Sequence, residues 1–223
     1  MKLSQLTLTA TGLFAAAWIG FSTDTQGFST IPGTLGAGQR DFRVFNNFTD
    51  TQANNNEIIH PQFPGYDGAE LAIWKGVVEW GSMLHGDGFG DPTQTGDMGS
   101  GGANFDPSFQ GNANGVGDTN ANIHSELSGN GGGVLAFCET PISNGWRIRY
   151  DQNWTWYDGP GQNIPGIDLQ GVACHEYGHA LGLGHSNVGG ATMLPSISGA
   201  GVPQRSINAD DSAGVQFKYG AMD

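Results

Sequence analysis

From Asp41 the chain begins to alternate. In "DFRVFNNF" Phe42 and Val44 share one face, a period of two that predicts a strand. The preceding "TQGFSTIPGTLGAGQ" has no period and reads as a flexible approach; the following "TQANNNEIIHPQFPGY" is rich in turn residues. The period then lengthens. Ile73, Val77, Trp80 and Leu84 recur at helical spacing, with Asp67 placed to cap the helix and Glu70 to return the bond three residues later. "GGVLAFC" is a short continuous apolar run, the pattern of a buried strand. "WRIRYDQNWTWY" sets Trp146, Ile148 and Tyr150 against Arg147, Arg149 and Asp151 and predicts another. "IDLQGVACHEYGHALGLG" returns to a helical pattern, with Asp168 near its start and Gly182 and Gly184 near its end. A last helix is predicted from Asn208, with Asp211 three residues on, to Gly220. There is no internal repeat and no second domain, and strands followed by two late helices give the α+β class.

Composition explains what separates these elements. An apolar share of 37%, with six Trp and twelve Phe, supports a core, while 38 Gly and only 13% charged residues imply long polar loops. The longest, His85 to Asn122, is long enough inside one domain to be functional or organised by cations. Its Asp87, Asp91 and Asp97 offer oxygens suited to Ca2+, but none fits the EF-hand spacing, so each reads as solvated. The formal charge of −13 excludes nucleic acid as a partner. At the N-terminus, Lys2 and an acid-free apolar run from about Leu6 to Phe21 predict a signal peptide over residues 1–23, hence a secreted protein with no membrane span after processing. An uncleaved anchor is the alternative. Residues 24–40 then form a flexible N-terminal segment and 41–223 the folded domain. Cys138 and Cys174 fit one disulfide of an exported protein or two buried thiols equally.

The chain has six histidines, and three of them, His175, His179 and His185, lie in "CHEYGHALGLGHS". Residues four apart share a helical face, so His175 and His179 project together. Glu176 is rotated from His175 by ~100° yet can reach a water between them. A positive-φ turn at Gly182 would bring His185 back toward the pair. Three imidazoles with one open position describe a catalytic zinc site, whereas a structural site is closed by a fourth protein ligand. Cys174 points off the ligand face by the same ~100° step. A chance HExxH on a core helix is the bland alternative, and the full H-E-x-x-H-x-x-G-x-x-H pattern is far more specific.

"HEYGHALGLGHS" resembles the zinc signature of the metzincin endopeptidases, and of the matrixins in particular. "ATMLPS" places Met193 where that clan has its Met-turn, and "NADDSAGVQFKYG" is similar to the matrixin C-terminal helix with its acidic pair, here Asp210 and Asp211. The resemblance implies a zincin catalytic domain with a twisted mixed β-sheet, an active-site helix and a C-terminal helix. It implies one catalytic Zn2+ on His175, His179 and His185, with Glu176 as general base towards a zinc-bound water and then as acid. Met193 would be structural. Protein or peptide substrates would lie along Val134, Leu135 and Ala136, with Leu194 and Pro195 lining a side-chain pocket. Calcium in some loop is compatible with the family, without an assignable ligand set. A monomer is expected.

The sequence also departs from the family. Where matrixins carry a second zinc on three histidines and an aspartate, it has His124, Glu126, Phe137 and Arg149, so that ion is not expected and His124 reads as a hydrogen-bonded loop histidine, as do His60 and His85. The "PRCGxPD"-like latency segment is not found. Two other readings compete with the peptidase: a catalytically silent secreted matrix protein on the same fold, and a calcium-organised adhesive domain.

Overall fold

The structure is a computed structural model that describes residues 27–61, 63–81, 101–113, 121–129, 132–139, 142, 145–161 and 164–221. Its centre is a five-stranded sheet of order β2-β1-β3-β5-β4. The strands are β1 (Asp41–Phe45), β2 (Ser108–Asn112), β3 (Ile123–Leu127), β4 (Ala136–Glu139) and β5 (Arg147–Asp151). β1 runs parallel to both β2 and β3, β3 runs parallel to β5, and only the outer strand β4 is antiparallel. A parallel pair needs a long crossover, and α2 (Gly68–Val78) lies in the one between β1 and β2. A short α1 (Ala37–Arg40), a two-stranded pair β6 (Trp156–Tyr157) and β7 (Ile167–Asp168), α3 (Leu169–Ala180) and α4 (Ala209–Tyr219) complete the α+β fold.

Alternation along the strands decides which face is covered. Phe42 and Val44 on β1, Ala136 on β4, and Ile148 and Tyr150 on β5 are at most 1% exposed, and they join the core with Ile73, Val77 and Trp80 of the α2 region and Val172, Ala173, Tyr177 and Ala180 of α3. This packing lays α3 against α2, β4 and β5. Asp168 caps α3 by accepting from the Gly171 N–H at 2.8 Å, and the Arg205 guanidinium grips the same carboxylate from the short 3-10 helix Val202–Arg205 before α4 at 2.8 and 2.5 Å. The predicted Asn208–Asp211 capping box of α4 forms in both directions.

Several expectations give way. Asp67 precedes α2 but its side chain makes no cap bond; Glu70 takes a hydrogen bond from Asn46 instead of returning to Asp67, whose like charge repels it. His124 is not a loop histidine: it lies on β3, fully buried, with Nδ1 2.8 Å from the Tyr150 hydroxyl, and burial lowers its pKa to about 3. The run from His85 to Asn122 is not loop throughout, since it contains β2. The segment 24–40, read as flexible, is tied down over its described part: Ile31 N–H donates to the Gly182 carbonyl, Gly184 N–H to the Ser29 carbonyl, and Tyr219 Oη accepts from Leu35 N–H. Of the two readings left open for Cys138 and Cys174, the structure has the buried free thiols. Residues 1–23, His85, Asp87, Asp91 and Asp97 lie outside the described residues, and no helix among those described is long and apolar enough to cross a membrane.

Candidate metal centre

The twelve residues of α3 place His175 and His179 one turn apart, with ring centroids 4.8 Å from each other. The helix stops in a Schellman arrangement. Leu183 N–H bonds the Gly178 carbonyl at 3.0 Å and Gly182 N–H the His179 carbonyl at 2.9 Å, with Gly182 at φ 93°. A side chain at that φ would be strained, which is the physical reason for glycine there. The turn carries His185 back, so that its ring centroid lies 5.4 Å from His175 and 4.9 Å from His179. One nitrogen from each ring falls within 4.8 Å of the others, and among the described residues this is the group of ligand-type side chains able to hold a metal ion.

The chemistry of these nitrogens is fixed by their other hydrogen bonds. His175 Nδ1 is 2.6 Å from the Thr192 carbonyl and His179 Nδ1 is 2.8 Å from the Leu183 carbonyl. A carbonyl can only accept, so both Nδ1 atoms carry the proton and each Nε2 presents a lone pair. The Nε2 atoms of His175, His179 and His185 are all buried without a hydrogen-bond partner. Burial pushes His175 well below the usual histidine range and His179 down to about 4, so both are neutral at ordinary pH. Three convergent, unpartnered nitrogens, two of them left unprotonated by these bonds, are a costly arrangement for a bare core and a fitting one for a divalent cation with nitrogen affinity.

Glu176 is 1% exposed, and one of its carboxylate oxygens, Oε2, has no partner. Its carboxylate takes a hydrogen bond from the backbone N–H of Cys138 on β4, but burial dominates and raises its pKa to about 8. Beneath the histidine pair, Met193 is 1% exposed, and its sulfur would lie 2.3 Å from a Cβ placed on Gly178. Only glycine lets the helix and the Met193 turn approach so closely.

Around these residues stand supports that the sequence alone did not single out. The buried Asp211 carboxylate accepts from Thr192 N–H at 2.8 Å and Met193 N–H at 3.2 Å, fixing the turn whose Thr192 carbonyl orients His175. Ser29 Oγ donates to the His185 carbonyl at 2.7 Å. The capping role of Asp211 was readable from its spacing, but its hold on Thr192 and the Ser29 contact span sequence separations that carry no local signal. Val134 and Leu135 lead into β4, and Ala136 lies in it. Leu194 and Pro195 sit half-buried just after Met193.

Known proteins resemble this chain over its C-terminal part. A profile of the matrixin family matches residues 117–220. Metalloendoproteinase 2-MMP of Arabidopsis thaliana is 38% identical over 92 residues, covering 40% of this chain and 24% of the relative. Stromelysin-3 of Xenopus laevis is 42% identical over 93 residues, 40% of this chain and 18% of the relative, and matrix metalloproteinase-19 of Mus musculus is 40% identical over 89 residues, 40% and 16%. The chain thus spans a quarter or less of the length of these relatives. Through residues 117–220 the chain is thus similar to the matrixins, the matrix metalloproteinase type of metallopeptidase.

Proposed function

We propose that this chain is a secreted zinc-dependent endopeptidase, with His175, His179 and His185 holding the ion through Nε2 and Glu176 as general base. One observation carries the reading: three buried Nε2 atoms without partners converge, and the residue that follows His175 is a buried glutamate with an unpartnered oxygen. Zinc held there would supply Lewis-acid polarisation of a peptide carbonyl and would lower the pKa of water to about 7. Glu176 accepts a proton at its unpartnered Oε2 as water attacks the carbonyl carbon, and returns it to the leaving amine nitrogen. An extended substrate adds to the outer strand β4 at Val134, Leu135 and Ala136, supported by the outermost place of β4 in the described sheet. Leu194 and Pro195 line the pocket for the side chain after the cut, and Met193 is structural. Secretion rests on the leader pattern over residues 1–23, and the domain proper on residues 41–223. Calcium stays a compatible second cation without assigned ligands. One chain supplies every site residue, which suits a monomer.

The test is hydrolysis of casein or gelatin by the purified chain. Cleavage should stop on chelation and return with zinc, and Glu176→Ala should keep zinc while losing turnover. Chelator-insensitive cleavage, or full activity in that variant, would sink the assignment.

A further inference from the structure

Arg149 is an unexpected residue to find inside a sheet. Ile148 and Tyr150 face the helices, so Arg149 points to the opposite side of β5, where only 1% of its side chain is exposed. Its Nε donates to Glu139 Oε1 at 2.9 Å and its Nη1 to Ser125 Oγ at 2.7 Å. Ser125 is its register partner on β3, and Glu139 is on β4. One guanidinium therefore ties three neighbouring strands together. Arg147, directly opposite Glu139, adds a second bond to that carboxylate at 2.5 Å. Partial burial works to raise Glu139, but the bonds from Arg147 and Arg149 outweigh it and keep the carboxylate ionised.

β4 has reason to need this. It is four residues long and pairs with β5 alone among the described strands. The residue beside Glu139 is Cys138, whose side chain turns inward and whose backbone N–H donates to the Glu176 carboxylate. Any shift of β4 along or away from β5 moves that N–H off the carboxylate. Stability alone is a weak reason for burying a guanidinium, since apolar residues of similar size serve as well or better.

We infer that Arg149, through Glu139, is a positioning residue for Glu176: it locks β4 so that the Cys138 N–H holds one carboxylate oxygen and leaves Oε2 aimed at the site. The kinetic consequence rests on the endopeptidase reading, while the structural one does not. The test uses the full chain loaded with zinc and compares Arg149→Met, Arg149→Lys and Glu139→Gln by two readouts. Amide exchange at Cys138 should quicken roughly tenfold or more in Arg149→Met, and kcat on a fluorogenic peptide should fall roughly 10- to 100-fold with a smaller change in KM. Zinc content should not change, because no ligand lies on β4. Arg149→Lys, which restores a cation for Glu139 without the fork to Ser125, should fall between. If Arg149→Met does not fold, Glu139→Gln should show the same two effects in smaller degree. Wild-type exchange at Cys138, or a wild-type kcat alongside quickened exchange, overturns the inference. Should the unaltered chain cleave nothing, the endopeptidase reading fails and the exchange data alone decide the role of Arg149.

Discussion

Replacing Asp168 with alanine should be among the most damaging single changes outside the histidine cluster. Asp168 and Arg205 are both fully buried and joined by two bonds, at 2.8 and 2.5 Å. Leaving a buried guanidinium without its carboxylate costs about 3–5 kcal/mol in comparable pairs. Arg205 retains its bonds to the carbonyls of Pro160 and Gly161, which points to the lower end. Asp168 also caps α3 through the Gly171 N–H, worth about 1 kcal/mol. The sum is roughly 4–5 kcal/mol, a large part of the roughly 5–15 kcal/mol that holds a typical domain together. Asp168→Asn separates the contributions, since its side-chain oxygen can still cap while the charge is gone, so it should lose about 1 kcal/mol less than Asp168→Ala. Urea unfolding of zinc-loaded protein, followed by tryptophan fluorescence, measures both. An Asp168→Ala variant within about 1 kcal/mol of the parent would refute the reasoning, because a buried unpaired cation cannot be that cheap.

Gly182→Ala places a side chain at φ 93° and should cost about 1–2 kcal/mol while weakening zinc retention through His185, read by calorimetry and metal analysis. Gly178→Ala would drive a Cβ to 2.3 Å from the Met193 sulfur and 2.8 Å from the Trp80 ring, an overpacking of about 1–3 kcal/mol visible as a lowered Tm. Glu176→Ala should lower peptide hydrolysis by roughly 10²–10⁴-fold with zinc still bound, measured by turnover and metal content on one sample. Glu126 is pushed up to about 7 by burial first, then by Asp50 and Asp151. Its folded pKa exceeds the unfolded one, so its contribution favours folding at low pH and is lost as pH rises from about 4.5 to about 7. Glu126→Gln should flatten the stability profile in that window.

Local signals carried the parts of the fold that local physics decides. The α4 boundaries followed from a capping box and a terminal glycine, and α3 from Asp168 at one end and Gly182 at the other. β1 and β5 showed in their alternation because one face is apolar. β3 did not, since "IHSEL" buries His124 and Glu126 as well as Ile123, and β2 hid inside a Gly- and Asn-rich run. Asp67 matched a capping pattern that lost to the pull of Asn46 on Glu70, a partner outside the local window. The histidine triad was legible because helical period and one glycine turn fix it. The Thr192 and Leu183 carbonyls that orient its rings are backbone atoms, which any residue could supply.

Zinc stoichiometry bears most directly on the account. Mass-spectrometric metal analysis of purified protein and of His185→Ala should give about one zinc per chain in the first and a large loss in the second, as expected when three neutral imidazoles share one ion. Protein expressed in ample zinc that carries far less than this, or a His185→Ala variant that keeps its full zinc, would contradict it.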